Sequence, residues 1–201
     1  MIVKICGITN LEDAQAAVAS GANALGFNFC PRSKRYIGVG DATKLVAQLP
    51  ATVLRVGVFV NEPADRVAEL VKRIGLHVAQ LHGSETPEQY PRETRVWKAA
   101  HVGDEFNLGE WEACPAEALL LDSMANGELG GSGQTFDWTR AAGSSRQIVL
   151  ASGLDETNVR DAIRQVKPWG VDACSRIERA PGRKDHARMA AFIQAVLETS
   201  A

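Results

Sequence analysis

The stretch Ile2-Val3-Lys4-Ile5-Cys6-Gly7-Ile8-Thr9-Asn10 opens the chain as a short apolar strand that ends on a cysteine. Gly7 then allows a turn, and Thr9 or Asn10 is suited to cap the next helix, because both side chains accept hydrogen bonds from the first N–H groups of a helix. A strand joined to a helix by a short turn is the repeating unit of α/β proteins. The stretch therefore predicts an α/β fold with Cys6 at the carboxyl end of the first strand.

Strand-like and helix-like segments alternate from this unit to the end of the chain. Apolar runs predict strands at Ile2–Cys6, Ala24–Phe29, Val53–Val60, Val78–Leu81, Arg95–Ala100, Ala118–Leu121, Ile148–Ala151 and Gly170–Ala173. Helices are expected at Asn10–Ser20, Asp41–Leu49, Pro63–Ile74, Thr86–Glu93, Glu105–Glu112, Phe136–Ala142, Asp155–Val166 and Lys184–Leu197. This repetition predicts a (β/α)8 TIM barrel formed by one domain, residues 1–201. An open doubly wound sheet also fits, but it is disfavoured because no dinucleotide-binding GxGxxG follows the first strand.

Composition and charge argue against several classes of protein. A net charge of -2 is unusual for a nucleic-acid-binding domain, which is generally basic. No apolar run reaches the roughly 20 residues that span a bilayer, and Lys4 and Asp13 interrupt the apolar stretch that a signal peptide needs. The cysteines at 6, 30, 114 and 174 form no CxxC pair, so reduced thiols are expected. We therefore expect a cytoplasmic protein without nucleic-acid or membrane partners. Its oligomeric state, monomer or homodimer, is left open.

Cys6 and Asp122 are the candidate catalytic pair. The active site of a TIM barrel lies at the carboxyl ends of its strands. A cysteine there, near a helix N-terminus, is expected to have a lowered pKa and to act as base or nucleophile, although a buried cysteine is more often core filler. Burial is expected to raise the pKa of Asp122 and make it a proton donor, although it is also suited to cap the next loop. Strands 1 and 6 lie roughly opposite each other, so the two side chains would flank a small substrate.

Other residues are expected to hold that substrate. The turns after strands 6 to 8 lie where such barrels bind phosphate through backbone N–H groups; they contain Gly131, Ser132, Gly133, Ser152, Gly153, Ser175 and Arg176. The planar guanidinium of Arg35 suits a substrate carboxylate, although charge alone favours a solvated basic loop. Gln80, His82 and Asp172, at or near strand ends, are expected to contact the substrate.

A metal site is not expected. Cys6, Cys30, Cys174 and His82 are all placed to face the barrel mouth, but no two of them have the close spacing typical of metal ligands.

Several motifs, in order along essentially the whole chain, resemble the N-(5'-phosphoribosyl)anthranilate isomerase family. They are Lys4-Ile-Cys-Gly-Ile-Thr9, the loop Pro31–Tyr36, Gly57-Val-Phe-Val-Asn61, Gln80-Leu-His-Gly83, Leu121-Asp122 with Gly130-Gly-Ser-Gly133, Thr135-Phe-Asp-Trp138, and Pro181-Gly182 with Lys184-Asp-His186. The resemblance implies an Amadori rearrangement in tryptophan biosynthesis, in which an aminoaldose becomes the aminoketose 1-(2-carboxyphenylamino)-1-deoxyribulose 5-phosphate.

The resemblance also implies residue roles. Asp122 matches the general acid, which protonates the furanose ring oxygen and opens the ring to a Schiff base. Cys6 matches the general base, which as a thiolate removes the proton from ribose C2. Arg35 matches the residue that holds the anthranilate carboxylate. No cofactor is implied, because the imine itself is the electron sink.

Two departures from the family pattern lie in the inferred phosphate site. Ser152-Gly153-Leu154 stands where a Gly-Gly pair before Leu is common, and Ser175-Arg176 stands where Ser-Gly is common. We expect Arg176 either to pair directly with the phosphate or to point away and contribute only its N–H.

Three other functions fit parts of the pattern. An indoleglycerol-phosphate synthase lacks the arrangement of Cys6 and Asp122. A histidine-pathway sugar isomerase uses two aspartates, whereas strand 1 here ends on Cys6. A non-catalytic phosphosugar-binding barrel is disfavoured because Cys6, Arg35 and Asp122 are all present.

Overall fold

A computed structural model describes residues 1–123 and 135–200. Eight parallel strands pair in chain order and close into a barrel, so the predicted TIM barrel is confirmed. The strands are β1 (Ile2–Ile5), β2 (Ala24–Asn28), β3 (Leu54–Phe59), β4 (Val78–Leu81), β5 (Arg95–Val102), β6 (Ala118–Ser123), β7 (Ile148–Leu150) and β8 (Gly170–Ala173). A separate antiparallel pair follows, β9 (Glu178–Ala180) and β10 (Arg183–Lys184).

The helices on the outside of the barrel are less regular than the sequence predicted. The described residues contain α1 (Leu11–Ala19), α2 (Val39–Val46), α3 (Ala64–Ile74), α4 (Val159–Val166) and α5 (His186–Ser200). The helices expected after β4, β5 and β6 are instead single 3-10 turns, at Pro87–Gln89, Leu108–Trp111 and Trp138–Ala141. The first of these ends before Pro91, which disfavours helical backbone in the residue before it. Another 3-10 turn, Ser175–Ile177, follows β8.

Side chains alternate along each strand between the barrel interior and the helix layer, as expected for a pleated strand. Val56, Val78, Trp97 and Leu120 belong to one buried cluster, inside the barrel. Their neighbours Leu81, Leu119 and Leu121 belong to a second, larger cluster, between strands and helices. The polar side chains that end the inward-facing rows therefore meet at the carboxyl mouth.

The first and last strands bring distant parts of the chain together. Lys4 of β1 pairs in register with Asp172 of β8, and Ile2 pairs with Gly170. The N–H of Cys6 donates to the carbonyl of Ala173 (2.9 Å), which continues this register past the end of β1. Cys6 thus lies beside Cys174, one inward-facing layer above Lys4 and Asp172.

Among the described residues, none of the helices combines the length and the apolar character needed to cross a membrane.

Candidate active site

A cleft of about 750 Å³, partly open to solvent, lies at the carboxyl ends of the strands. It brings together most of the predicted site residues: Cys6, Arg35, Gln80, His82, Asp122, Ser152, Gly153, Asp172 and Ser175 all line it. Asn28, Cys30, Ser33 and Cys174 line it as well. Cys30 and Cys174 were expected at the barrel mouth, but none of these four was predicted to bind the substrate. Gly131, Ser132 and Gly133 lie outside the described residues.

The pKa of Cys6 is shifted in the opposite direction from the one expected. Its side chain is buried, and a hydrogen bond with Cys174 together with burial raises its pKa above the ordinary thiol range, against the opposing charge of Lys4. The expectation of a lowered pKa from a helix N-terminus is therefore wrong. The cation nearest to Cys6 is Lys4 of its own strand, which sequence reasoning noticed only as an interruption of an apolar run. Alternation along β1 was the available signal, because it puts Lys4 and Cys6 on the same face.

Cys174 carries the lowered thiol pKa of this site. The hydrogen bond from Cys6, opposed by burial and aided by Lys184 and Arg35, brings its pKa to about 7. Lys184 Nζ lies 3.9 Å from Cys174 Sγ and donates to the Cys174 carbonyl at 3.1 Å.

Lys4 and Asp172 form a buried ion pair beneath the two thiols. Lys4 Nζ donates to Asp172 Oδ1 at 2.9 Å, and the Lys4 side chain is fully buried. Burial lowers the pKa of Lys4, but Asp172 and Cys6 outweigh burial and raise it, so Lys4 stays charged. Burial raises the pKa of Asp172 to about 7, against the lowering effect of Lys4. Lys4 and Asp172 therefore form a charged pair at the floor of the cleft.

Asp122 lies across the cleft, within β6. Ser152 Oγ donates to Asp122 Oδ1, and His82 Nε2 lies 3.3 Å from Asp122 Oδ2. Among the described residues His82 Nε2 has no hydrogen-bond partner, so the latter contact is a close electrostatic approach. Burial raises the pKa of Asp122, but His82 and Ser152 outweigh it, so that the pKa lies below its ordinary value. The expectation of a raised pKa is wrong because these partners stabilise the carboxylate.

Gln80 orients His82 from below. Its Nε2 lies 3.2 Å from His82 Nδ1, a contact that holds the ring with Nε2 facing Asp122. Gln80 is buried, and among the described residues its Oε1 has no hydrogen-bond partner. This acceptor is thus available to a hydroxyl group in the cleft.

Arg35 is fixed by Glu178, a residue of β9 that the sequence analysis did not assign. Arg35 Nε lies 3.1 Å from both Glu178 oxygens, and Nη2 donates to Oε2 at 2.8 Å. Glu178 also accepts from Lys184 Nζ at 3.0 Å. Burial lowers the pKa of Arg35, but Glu178 outweighs it, so the guanidinium stays charged at the cleft wall.

The predicted phosphate-binding residues divide into two groups. Ser152 and Gly153, both with left-handed backbone (φ 74° and 61°), and Ser175 line the cleft. In the described part of the chain, the backbone N–H groups of Gly153 and Ser175 donate to no protein acceptor. The Arg176 side chain instead turns away, since its Nη1 donates to Asp155 Oδ2 at 2.8 Å.

Within the described ranges, no group of three or more His, Cys, Asp or Glu side chains is arranged to hold a metal ion.

Comparisons with known proteins agree with this geometry. A family model described as "N-(5'phosphoribosyl)anthranilate (PRA) isomerase" matches residues 3–195. An N-(5'-phosphoribosyl)anthranilate isomerase of Solibacter usitatus is 51% identical over 195 residues, which cover 97% of this chain and 96% of that protein.

Solved structures agree as well. The phosphoribosylanthranilate isomerase of Thermotoga maritima superposes with a TM-score of 0.91 at 40% identity, covering 98% of this chain and 100% of that one. A phosphoribosylanthranilate isomerase in complex with reduced 1-(o-carboxyphenylamino)-1-deoxyribulose 5-phosphate matches with a TM-score of 0.86 at 39% identity, over 98% of this chain and 100% of that one.

Proposed function

The chain belongs to the N-(5'-phosphoribosyl)anthranilate isomerase family, and from that premise we propose how its own residues perform the reaction. Its activity is that of the family, the isomerisation of N-(5-phosphoribosyl)anthranilate to 1-(2-carboxyphenylamino)-1-deoxyribulose 5-phosphate in tryptophan biosynthesis. The observation that carries the proposal is the arrangement of Cys6 and Asp122 in one cleft, with Arg35 on its wall.

Asp122 is the general acid and Cys6 the general base. Asp122 protonates the ring oxygen of the furanose, and the nitrogen lone pair opens the ring to an iminium. The Cys6 thiolate then takes the proton from C2, which is acidified by the iminium, and an enolamine forms. The Cys6 thiol then returns a proton to C1 while the C2 hydroxyl proton passes to the Asp122 carboxylate, which gives the ketone and restores both groups. General acid and base groups of this kind each contribute typically 10²–10⁴-fold to a rate.

The pKa directions of the two groups imply a reverse-protonated reactive form. Asp122, with its lowered pKa, must carry a proton while the thiol pair, which titrates higher, has lost one. This form is a minor fraction of the free protein at neutral pH. In a profile of kcat/KM against pH, the acid limb then reports Asp122 and the alkaline limb reports the thiols.

The two anionic ends of the substrate are held at opposite ends of the cleft. The Arg35 guanidinium, kept charged and oriented by Glu178, binds the anthranilate carboxylate. The N–H groups of Gly153 and Ser175 bind the phosphate, together with Gly131, Ser132 and Gly133. Gln80 Oε1 accepts from a ribose hydroxyl, and His82 and Asp172 complete the contacts to the sugar. Arg176 contributes its N–H, since its guanidinium is paired with Asp155.

The free thiols at positions 6, 30, 114 and 174 support a reducing compartment, which we propose to be the cytoplasm. We propose further that residues 1–201 act as one barrel domain, as a monomer or a homodimer, without nucleic acid or membrane as a partner. One solved structure is described as mutually generated monomers of the dimeric phosphoribosylanthranilate isomerase from Thermotoga maritima, which supports a dimer in that protein.

Two substitutions test the residue roles. Cys6→Ser and Asp122→Asn are each expected to lower kcat/KM by about 10²–10⁴-fold, because each removes one proton-transfer group. Circular dichroism and thermal unfolding verify that the fold is kept, and Cys114→Ser, which changes a thiol away from the cleft, is the matched control. Complementation of a tryptophan auxotroph lacking only this isomerase gives a second readout. Near-native turnover in either variant would remove that residue from its role.

A further inference from the structure

Two thiols meet where β1 and β8 end. Cys6 and Cys174 occupy the inward-facing layer directly above the Lys4–Asp172 pair, whose residues are register partners. Neighbouring strands lie about 4.8 Å apart, and both side chains point into the same cleft. The Cys6 N–H donates to the carbonyl of Ala173, the residue before Cys174, which keeps the two cysteines side by side. The base of the reaction therefore has a second ionisable thiol as its direct neighbour.

The charges around the two thiols leave room for one further negative charge. Lys4 lies beneath Cys6, while Arg35 and Lys184 face Cys174 from the loop after β2 and from β10. Against these three cations stand the carboxylates of Asp172, in β8, and Glu178, in β9. With both carboxylates ionised, these five groups, which lie nearest to the two thiols, carry one excess positive charge. A single thiolate shared between the two cysteines balances it, and a second thiolate does not.

We propose that Cys174 is a positioning residue that acts through Cys6: the two thiols hold one proton between them, and Cys174 decides when Cys6 is the ionised partner. The proposal rests on the proposed role of Cys6 as general base.

The location of the shared charge depends on what occupies Arg35. Without a carboxylate at Arg35, the thiolate lies on Cys174, near Lys184 and Arg35, and Cys6 donates its proton to it. Arg35 and Cys174 meet over Gly7, where an added Cβ would lie 3.0 Å from Arg35 Cδ and from Cys174 Sγ alike. A substrate carboxylate bound at Arg35 is thus close to Cys174 and disfavours negative charge there.

The proton then moves from Cys6 Sγ to Cys174 Sγ, and Cys6 becomes the thiolate while the charge of the pair is unchanged. Cys6 next takes the C2 proton, which leaves two thiols. When Cys6 gives a proton to C1, the pair returns to one shared proton. The base is in this way activated by the carboxylate of its own substrate.

The pH dependence of kcat/KM in Cys174→Ala and Cys174→Ser tests the proposal. Without Cys174 the thiolate must form on Cys6 alone, and its titration is expected to move from near 7 towards the ordinary thiol value of about 8.5 or above. Cys174→Ala then loses activity on the order of 10-fold at pH 7 and converges with the wild type in alkaline solution. Cys174→Ser loses less, because its hydroxyl still donates to the Cys6 thiolate. Cys114→Ser is the control, and its profile of kcat/KM against pH is expected to match that of the wild type.

Site-resolved alkylation checks the same point without turnover. Iodoacetamide labelling at a series of pH values, read by peptide mass spectrometry, follows each cysteine separately. In the wild type Cys174 is expected to react with a midpoint near 7, while in Cys174→Ala the labelling of Cys6 follows the displaced limb of kcat/KM. Cys114, which contacts Tyr90 away from the cleft, serves as the internal standard.

The two proposals fail in different ways. Full turnover in Cys6→Ser would overturn the role of Cys6 as base. Loss of turnover in Cys6→Ser, combined with an unmoved thiol limb in Cys174→Ala, would overturn only the role of Cys174. A loss in Cys174→Ala that is equal at every pH would also overturn it, because a merely structural defect does not vanish in alkali.

Discussion

At the scale of single residues, function depends on which neighbour each ionisable group has. Asp122 and Cys6 were identifiable from the sequence as polar residues that end apolar strands. Their pKa directions were not, because the partners that set them are distant in sequence: His82 and Ser152 lie 40 and 30 residues from Asp122, and Cys174 lies 168 residues from Cys6. Burial alone predicted the wrong sign for Asp122. A sequence gives the burial of a group more readily than the hydrogen bonds that compensate for it.

The Ser152 hydroxyl is predicted to hold the pKa of Asp122 down. Ser152→Ala removes its hydrogen bond to Oδ1, so the carboxylate loses a stabilising donor and its pKa rises. The change is measured by NMR titration of protein labelled with 13C at aspartate carboxyl carbons, with Asp122→Asn used to assign the resonance. Ser200→Ala, at the exposed end of α5, is the control. An Asp122 midpoint that is equal in wild type and Ser152→Ala would contradict this account.

At the scale of secondary-structure elements, the strands were predictable and several helices were not. A strand such as β3 lies within a mostly apolar run, Val53–Val60, and it formed within one residue of each expected end. The segments after β4 and β5 were predicted as helices, but they form only 3-10 turns. Lys184 was expected to begin the last helix, but it belongs to β10 and reaches Cys174 and Glu178. The hairpin that fixes Arg35 and Lys184 was missed because its strands have three and two residues.

Asp13 is predicted to fasten helix α1 to the segment that begins α5. Its Oδ2 accepts from the backbone N–H of Lys184 at 2.9 Å, and its Oδ1 lies 2.8 Å from His186 Nε2. Burial raises its pKa, but Lys184, Asn10 and His186 outweigh it and lower the pKa. Asp13→Asn is expected to reduce the free energy of unfolding by about 2 kcal/mol at pH 7, the size of a hydrogen bond to a charged group.

The pH dependence of this effect has a definite sign. A carboxyl group whose pKa is lower in the folded than in the unfolded state stabilises the protein when the pH is above the unfolded-state pKa, about 3.9. That stabilisation is lost as the pH falls through the folded value, where Asp13 is protonated in both states. Urea unfolding at pH 7 and at about pH 3 should therefore show a difference between wild type and Asp13→Asn that shrinks in acid. Asp161→Asn, at an exposed pair with Arg164, is the control. A difference independent of pH would show that Asp13 does not act through its charge.

At the scale of the whole molecule, closure of the barrel builds the site. The repeated strand–helix pattern predicted closure, but it did not predict the register of β1 against β8, which depends on side-chain packing across 168 residues of chain. That register places Lys4 against Asp172 and Cys6 against Cys174. The same contacts that join β1 to β8 therefore also set the charge of the catalytic thiol. Stability and activity are thus linked through the contact between these two strands.

The buried Lys4–Asp172 ion pair is predicted to affect the stability of the closed barrel much more than an exposed ion pair does. Asp172→Asn leaves the Lys4 ammonium buried without its counter-charge, which typically costs 3–5 kcal/mol of stability. Replacing both residues, as in Lys4→Met with Asp172→Leu, removes the uncompensated charge and should recover most of that loss, although activity stays low because the Cys6 thiolate has lost its cation. Arg95→Ala is the matched control, since its pair with Glu117 is largely exposed and such pairs contribute about 0–1 kcal/mol. Urea unfolding of the single and double variants measures the coupling. If Asp172→Asn lowers the free energy of unfolding no more than Arg95→Ala does, the buried pair does not stabilise the contact between β1 and β8.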